Sequence, residues 1–197
     1  MARLRTRWHN KASPKSIETI AGAMAMNLWK LAFDTANRMY STGFNFKNNA
    51  QLLDLIAEFI IFEIQLADRI AFEKLDEDAR QRFTIALAKH LAGTMVENQT
   101  IELGPNEAYL ALFMERLNQR MEGYSEFTLV DGSPSYPMLR YFGILADEVM
   151  GGDDNKWVIE QVMEVEAPPM IKSLRDGMEK LLPQAMAQTV KGNDPSA

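Results

Sequence analysis

Residues 52–72, LLDLIAEFIIFEIQLADRIAF, constrain the fold more than any other stretch of the chain. At about 100° per residue, Leu52, Ile56, Phe59, Leu66 and Ile70 line one side of a helix, while Asp54, Glu58, Gln65 and Arg69 take the opposite side. A helix apolar over so wide an arc is either central in its fold or covered by a second subunit. It is not read as a membrane span. Glu58, Glu63, Asp68 and Arg69 fall inside its most apolar part, and each charge near a bilayer centre costs ~2.5–3.5 kcal/mol. One residue breaks the pattern: Glu63 points out of the middle of the apolar side.

The rest of the chain reads as helix after helix with turn chemistry between. Ser13-Pro14 or Ser16 starts a first helix, in which Ile17, Ile20, Ala21, Met24, Leu28, Leu31 and Thr35 make one stripe. Met26, Trp29, Phe33 and Tyr40 make a second apolar patch on another side, which predicts more than one covering neighbour. Thr42-Gly43 ends this helix, Asn48 or Asn49 caps the second, and Asp76-Glu77-Asp78 suits the positive end of a third. The third helix is expected to present Ala79, Phe83, Ala86, Leu87, His90 and Thr94 on its inner face.

A fourth helix follows Gly104-Pro105-Asn106-Glu107, with Leu110, Phe113, Met114, Leu117 and Met121 inside. Residues 123–137 form the longest connection, with a brief extended piece at Phe127 to Val130. A fifth helix spans about Tyr136 to Met150, and Asp153 or Asp154 caps a sixth. Pro168-Pro169 is expected to end or sharply kink that sixth helix. A last segment, Met170 to Leu182, carries Met170, Leu174, Met178 and Leu181 on one face. The expected fold is all-α, an antiparallel helical bundle of about six to seven helices. It comprises a basic arm over residues 1–15, one helical domain over 16–183 and a flexible tail over 184–197.

His90 is placed on the third helix as Glu63 is on the second, in the middle of an apolar face. If the turn at Asp76 makes the two helices an antiparallel hairpin, Glu63 lies ~20 Å before the turn and His90 ~21 Å after it. The matching depth predicts a buried, hydrogen-bonded Glu63–His90 pair that fixes helix register, because pairing relieves the cost of a lone carboxylate in the core. The alternative is that Glu63 and His90 bind a metal. A carboxylate-bridged di-iron site does not fit, since no Glu-x-x-His occurs in the chain and Glu97 is ~10 Å along the axis from His90.

Composition narrows function further. The chain of 197 residues suits one substantial core. It has no cysteine, which removes disulfides, thiolate metal sites and cysteine nucleophiles. Arg3, Arg5, Arg7, Lys11 and Lys15 give the arm +5, and the other residues hold 16 basic against 27 acidic, or −11. An acidic body argues against nucleic-acid binding except through the arm. The arm lacks the apolar core of a secretory signal, so the expected location is cytoplasmic. The Walker, dinucleotide-binding, serine-elbow and zinc-protease motifs are missing.

Of the 13 methionines, Met138, Met163 and Met170 sit where short helices could open a ligand pocket. Arg140, Gly143 and Asp147 share a stripe, most often a solvated face, that would also suit a close helix contact or an anion site. The leading expectation is a binding or interaction protein that acts through an apolar groove or pocket, without catalysis of its own. Its partners would be a second copy, another protein or a small apolar ligand. The competing expectation is a metal- or cofactor-dependent enzyme with Glu63 and His90 in its buried site.

Overall fold

A computed structural model of the chain describes residues 15–151 and 155–182. Residues 1–14 of the basic arm, the Asp153/Asp154 cap and the C-terminal tail lie outside the described residues. The elements are α1 (Ile17–Ser41), α2 (Asn49–Lys74), α3 (Glu77–Leu103), α4 (Tyr109–Ser125), a two-residue-per-strand hairpin of β1 (Leu129–Val130) and β2 (Ser133–Pro134), α5 (Tyr136–Met150), α6 (Val158–Glu160) and α7 (Ala167–Leu181). The fold is all-α, and no helix among the described residues is long and apolar enough to cross a membrane.

Capping fixes three of the helix starts. Ser16, Asn48 and Asp76 stand in extended conformation, and their side chains accept from the backbone N–H of Thr19, Gln51 and Ala79. Each such cap contributes roughly 1 kcal/mol. Gly104 ends α3 at φ 89°, a conformation that costs a side-chain-bearing residue far more. The hairpin turns through Asp131 and Gly132, both at positive φ, which suits the right-handed twist of the paired strands.

Helix α2 is the axis of the molecule. It touches α1, α3, α4, α5 and α7 and is buried on every side from Leu55 to Asp68. Cross-helix contacts give the directions of its neighbours. Arg80 and Thr84 of α3 reach back to Asp68, as in a hairpin. Phe142 of α5 stacks on Phe62 while Gln51 donates to the carbonyls of Val149 and Met150, so α5 also runs against α2. Arg116 and Arg120 of α4 bond Asp54 and Glu58 in the same order, so α4 runs with it.

Three expectations need correction. The inner face of α3 is Phe83, Leu87, Ala88, Leu91, Ala92 and Met95, whereas His90 is exposed. The seam follows i, i+4 steps through Leu91, and His90 stands about 100° round the helix from it. The second patch on α1 is only partly covered among the described residues: Trp29 packs against the core, whereas Met26, Phe33 and Tyr40 are exposed. Finally, the helix does not end at Pro168-Pro169. Residues 161–166 widen into a π-helical segment that continues into α7, with the prolines in its first turn. A wider turn gives the pyrrolidine rings room where an α turn would clash with the carbonyl four residues back.

The methionines expected beside a pocket, Met138, Met163 and Met170, are core residues instead. On α5, the expected close helix contact is present at Gly143. A Cβ there would lie 3.0 Å from the Ile159 carbonyl oxygen, so only glycine lets α6 approach.

Candidate functional site

The polar side of α2, expected to face solvent, is covered by α4. This is a matter of matched spacing. Asp54 and Glu58 are one turn apart on α2, Arg116 and Arg120 are one turn apart on α4, and the two parallel helices bring the rows together as a ladder. Arg116 donates to Asp54 Oδ1 at 2.7 Å. Arg120 holds Glu58 with two nitrogens, at 3.1 Å to Oε2 and 3.1 Å to Oε1. Glu148 of α5 approaches the outer side of Arg120 at 3.7 Å.

The rungs differ in environment. Asp54 and Arg116 are both partly open to solvent, whereas the Glu58 side chain is 1% exposed. Burial pushes the Glu58 carboxyl above its ordinary range, and the Arg120 hydrogen bonds and charge offset only part of that rise. Further along α4, Tyr124 is buried against Phe62, and its hydroxyl has no partner among the described residues. Burial first, and the Glu58 charge second, hold that phenol well above its usual range.

Beside the ladder lies a cleft of about 390 Å³ between α2, the end of α3 and α4. Its apolar walls are Ala50, Ala57, Leu103, Leu112 and Phe113, and Asp54, Arg116 and Arg120 form its polar floor. Tyr109, Glu115 and Gln119 of α4 and Gln99 of α3 complete the lining. The Gln99 Oε1 is shielded from solvent and accepts no hydrogen bond among the described residues. Two contacts fix the rim: Asn49 Nδ2 donates to Glu102 Oε2 at 2.8 Å, and the Tyr109 hydroxyl donates to the Gly104 carbonyl at 3.1 Å. Leu103 and Leu112 are 40% and 56% exposed, so the mouth of the cleft is apolar and open.

The sequence-derived pair, Glu63 and His90, is not assembled. Glu63 is fully buried, and neither carboxyl oxygen has a hydrogen-bond partner among the described residues. His90 is turned toward α1, where a Cβ on Gly22 would lie 3.2 Å from its Nε2. With burial unopposed, the Glu63 carboxyl is raised well above its ordinary value of 4.5 and is held as the neutral acid. The hairpin arithmetic set the depths of the two residues, but the angle round α3 sends the imidazole to a different helix. Among the described residues no group of three or more His, Asp and Glu side chains is placed to hold a metal ion.

A second buried carboxylate escaped the sequence reading altogether. Glu166, in the π-helical segment, is fully buried, accepts from Arg38 Nε at 3.0 Å and from Gln161 Nε2 at 2.9 Å, and so ties α7 to the end of α1. Nothing local marks it, because Arg38 is 128 positions away in the chain. The ladder did carry a signal: two carboxylates and two arginines, each pair at i, i+4, on helices that both have apolar opposite faces. Comparison with protein-family models, with curated proteins and with solved structures gives no match to this chain.

Proposed function

We propose that this is a non-catalytic binding protein whose cleft between α2, α3 and α4 takes a small, mainly apolar ligand bearing a hydroxyl donor. The observation that carries the reading is the cleft itself. Its volume falls at the lower end of small-molecule sites, and its lining sets apolar walls against a polar floor of similar extent. The floor supports a ligand of low charge, since Asp54 and Glu58 already engage Arg116 and Arg120 and an ionic ligand would have to displace one of them. The carboxylates of Asp54 and Glu115 in the lining support the donor, since each can accept from a ligand O–H.

A thermal-shift series with C4 to C8 straight-chain alcohols, amines and carboxylic acids tests this. Alcohols should stabilise the protein, by about 2.7 kcal/mol when present at a hundred times Kd, and the amines, which are cations at neutral pH, should do less. The matching acids should likewise do less. Leu112→Arg, at an exposed position on the cleft wall, should abolish the shift with little loss of basal stability. No shift with any compound, or a shift that survives Leu112→Arg, would overturn the reading.

A further inference from the structure

We infer that the solvent-facing side of α1 is a self-association surface, along which two copies of this chain pair their α1 helices antiparallel. Met26, Phe33 and Tyr40 follow one another at seven-residue steps, and Trp29 lies between the first two at the three-residue step. This is the spacing of a helix–helix seam, in which apolar side chains recur every 3.5 residues along one line. Three of its members point away from the core, Met26 at 73% exposed, Phe33 at 41% and Tyr40 at 64%, while Trp29 is partly buried against it. The Phe46 ring beside Tyr40, with centroids 6.1 Å apart, prolongs it past the end of the helix. From Met26 to Tyr40 the seam is about 21 Å long.

Charge selects the occupant. The body of the chain is acidic, at −11 outside residues 1–15, and copies of it repel one another over most of their surface. The charges nearest Phe33 on this face are Lys30 and Asp34, one turn apart on the same side of the stripe and already paired with each other. A twofold axis through Phe33 gives an antiparallel seam in which Met26 meets the second copy's Tyr40. Such an axis keeps like flanks together, so Lys30 of each copy lies about 3 Å along the axis from Asp34 of the other, within reach of its side chain. A parallel pair would put both charges opposite the Trp29 flank instead. The antiparallel seam is therefore complementary in charge as well as apolar.

The area is sufficient. With ~200 Å² per large side chain, the exposed parts of Met26, Phe33 and Tyr40 amount to roughly 350 Å² per copy. Both copies, with Trp29, Phe46 and the polar flanks added, reach the ~1,000 Å² that a specific interface needs.

The test is sedimentation equilibrium of the full chain at 1–100 µM, with circular dichroism to confirm that each variant is folded. The wild type should dimerise, and Phe33→Glu should raise the dissociation constant by about tenfold or more. Met26→Glu, at the most exposed position of the stripe, should do the same and serves if Phe33→Glu fails to fold. Lys30→Glu should weaken the dimer by like-charge contact with Asp34 of the second copy, and Lys30→Glu with Asp34→Lys should restore it. A monomer at 100 µM, or a dimer untouched by Phe33→Glu and Met26→Glu, overturns the proposal. A dimer indifferent to Lys30→Glu overturns the antiparallel pairing.

Discussion

Glu58 and Glu63 stand five residues apart on the same helix, both buried to 1% exposure, and they meet opposite fates. Five residues turn the helix by about 140°, enough to aim one side chain at α4 and the other into the core. Glu58 finds a two-nitrogen clasp from Arg120 and remains the charged partner of a ladder. Glu63 finds no partner among the described residues and is held neutral. A buried carboxyl can be accommodated by a cation brought to it or by keeping its proton. The choice is made by the neighbouring helix and is invisible in the helix that carries it.

The largest effect should come from converting the first case into the second. Arg120→Ala strands Glu58 and should cost about 3–5 kcal/mol in urea unfolding at pH 7. Glu58 then behaves as Glu63 does, and the variant should recover part of that loss as the pH is lowered toward 4.5. Replacing both partners, Glu58→Leu with Arg120→Leu, should cost far less than Arg120→Ala alone. If the single and double variants lose equal stability, the clasp does not hold Glu58.

Glu63 gives the next effect, with a sign opposite to that of most carboxylates. Its folded-state pKa lies above its unfolded value near 4.5. The neutral form therefore stabilises the fold fully below 4.5, and the contribution is lost as pH rises through the window up to the folded-state value. The wild type should lose about 1.4 kcal/mol per pH unit in that window relative to Glu63→Gln, which has no proton to release. Parallel stability curves for the two proteins would contradict a neutral, unpartnered acid. The smallest effect belongs to the outer rung: Asp54 and Arg116 are both partly exposed, so Arg116→Ala should cost at most ~1 kcal/mol, and less at high salt.

Much of the fold was legible because capping and periodicity are local. Ser16, Asn48 and Asp76 act at the helix starts where their side chains can reach the backbone, and α5 begins and ends where its turn residues place it. The central place of α2 followed from the width of its apolar arc. Pro168 and Pro169 do not end their helix, because the π-helical segment before them is a response to packing that no residue announces. The cleft was only half legible. The i, i+4 spacing of Asp54 with Glu58 and of Arg116 with Arg120 was in the chain, but their pairing needed the knowledge that α4 lies along α2. His90 was placed at the right depth and the wrong angle, since axial rise accumulates reliably while the facing direction depends on which of two neighbours a helix packs against.

The sequence by itself determined the helices, their ends, the all-α class and the central role of residues 49–74, because these follow from backbone hydrogen bonding and from where apolar side chains recur along a single helix. Only the tertiary structure decided that Glu58 is clasped and Glu63 is not, that Glu166 is tied to Arg38, that His90 faces Gly22, and that Met26, Phe33 and Tyr40 of α1 are exposed among the described residues. Each of these depends on the angle and direction at which a second helix arrives, a quantity set by the packing of the whole core.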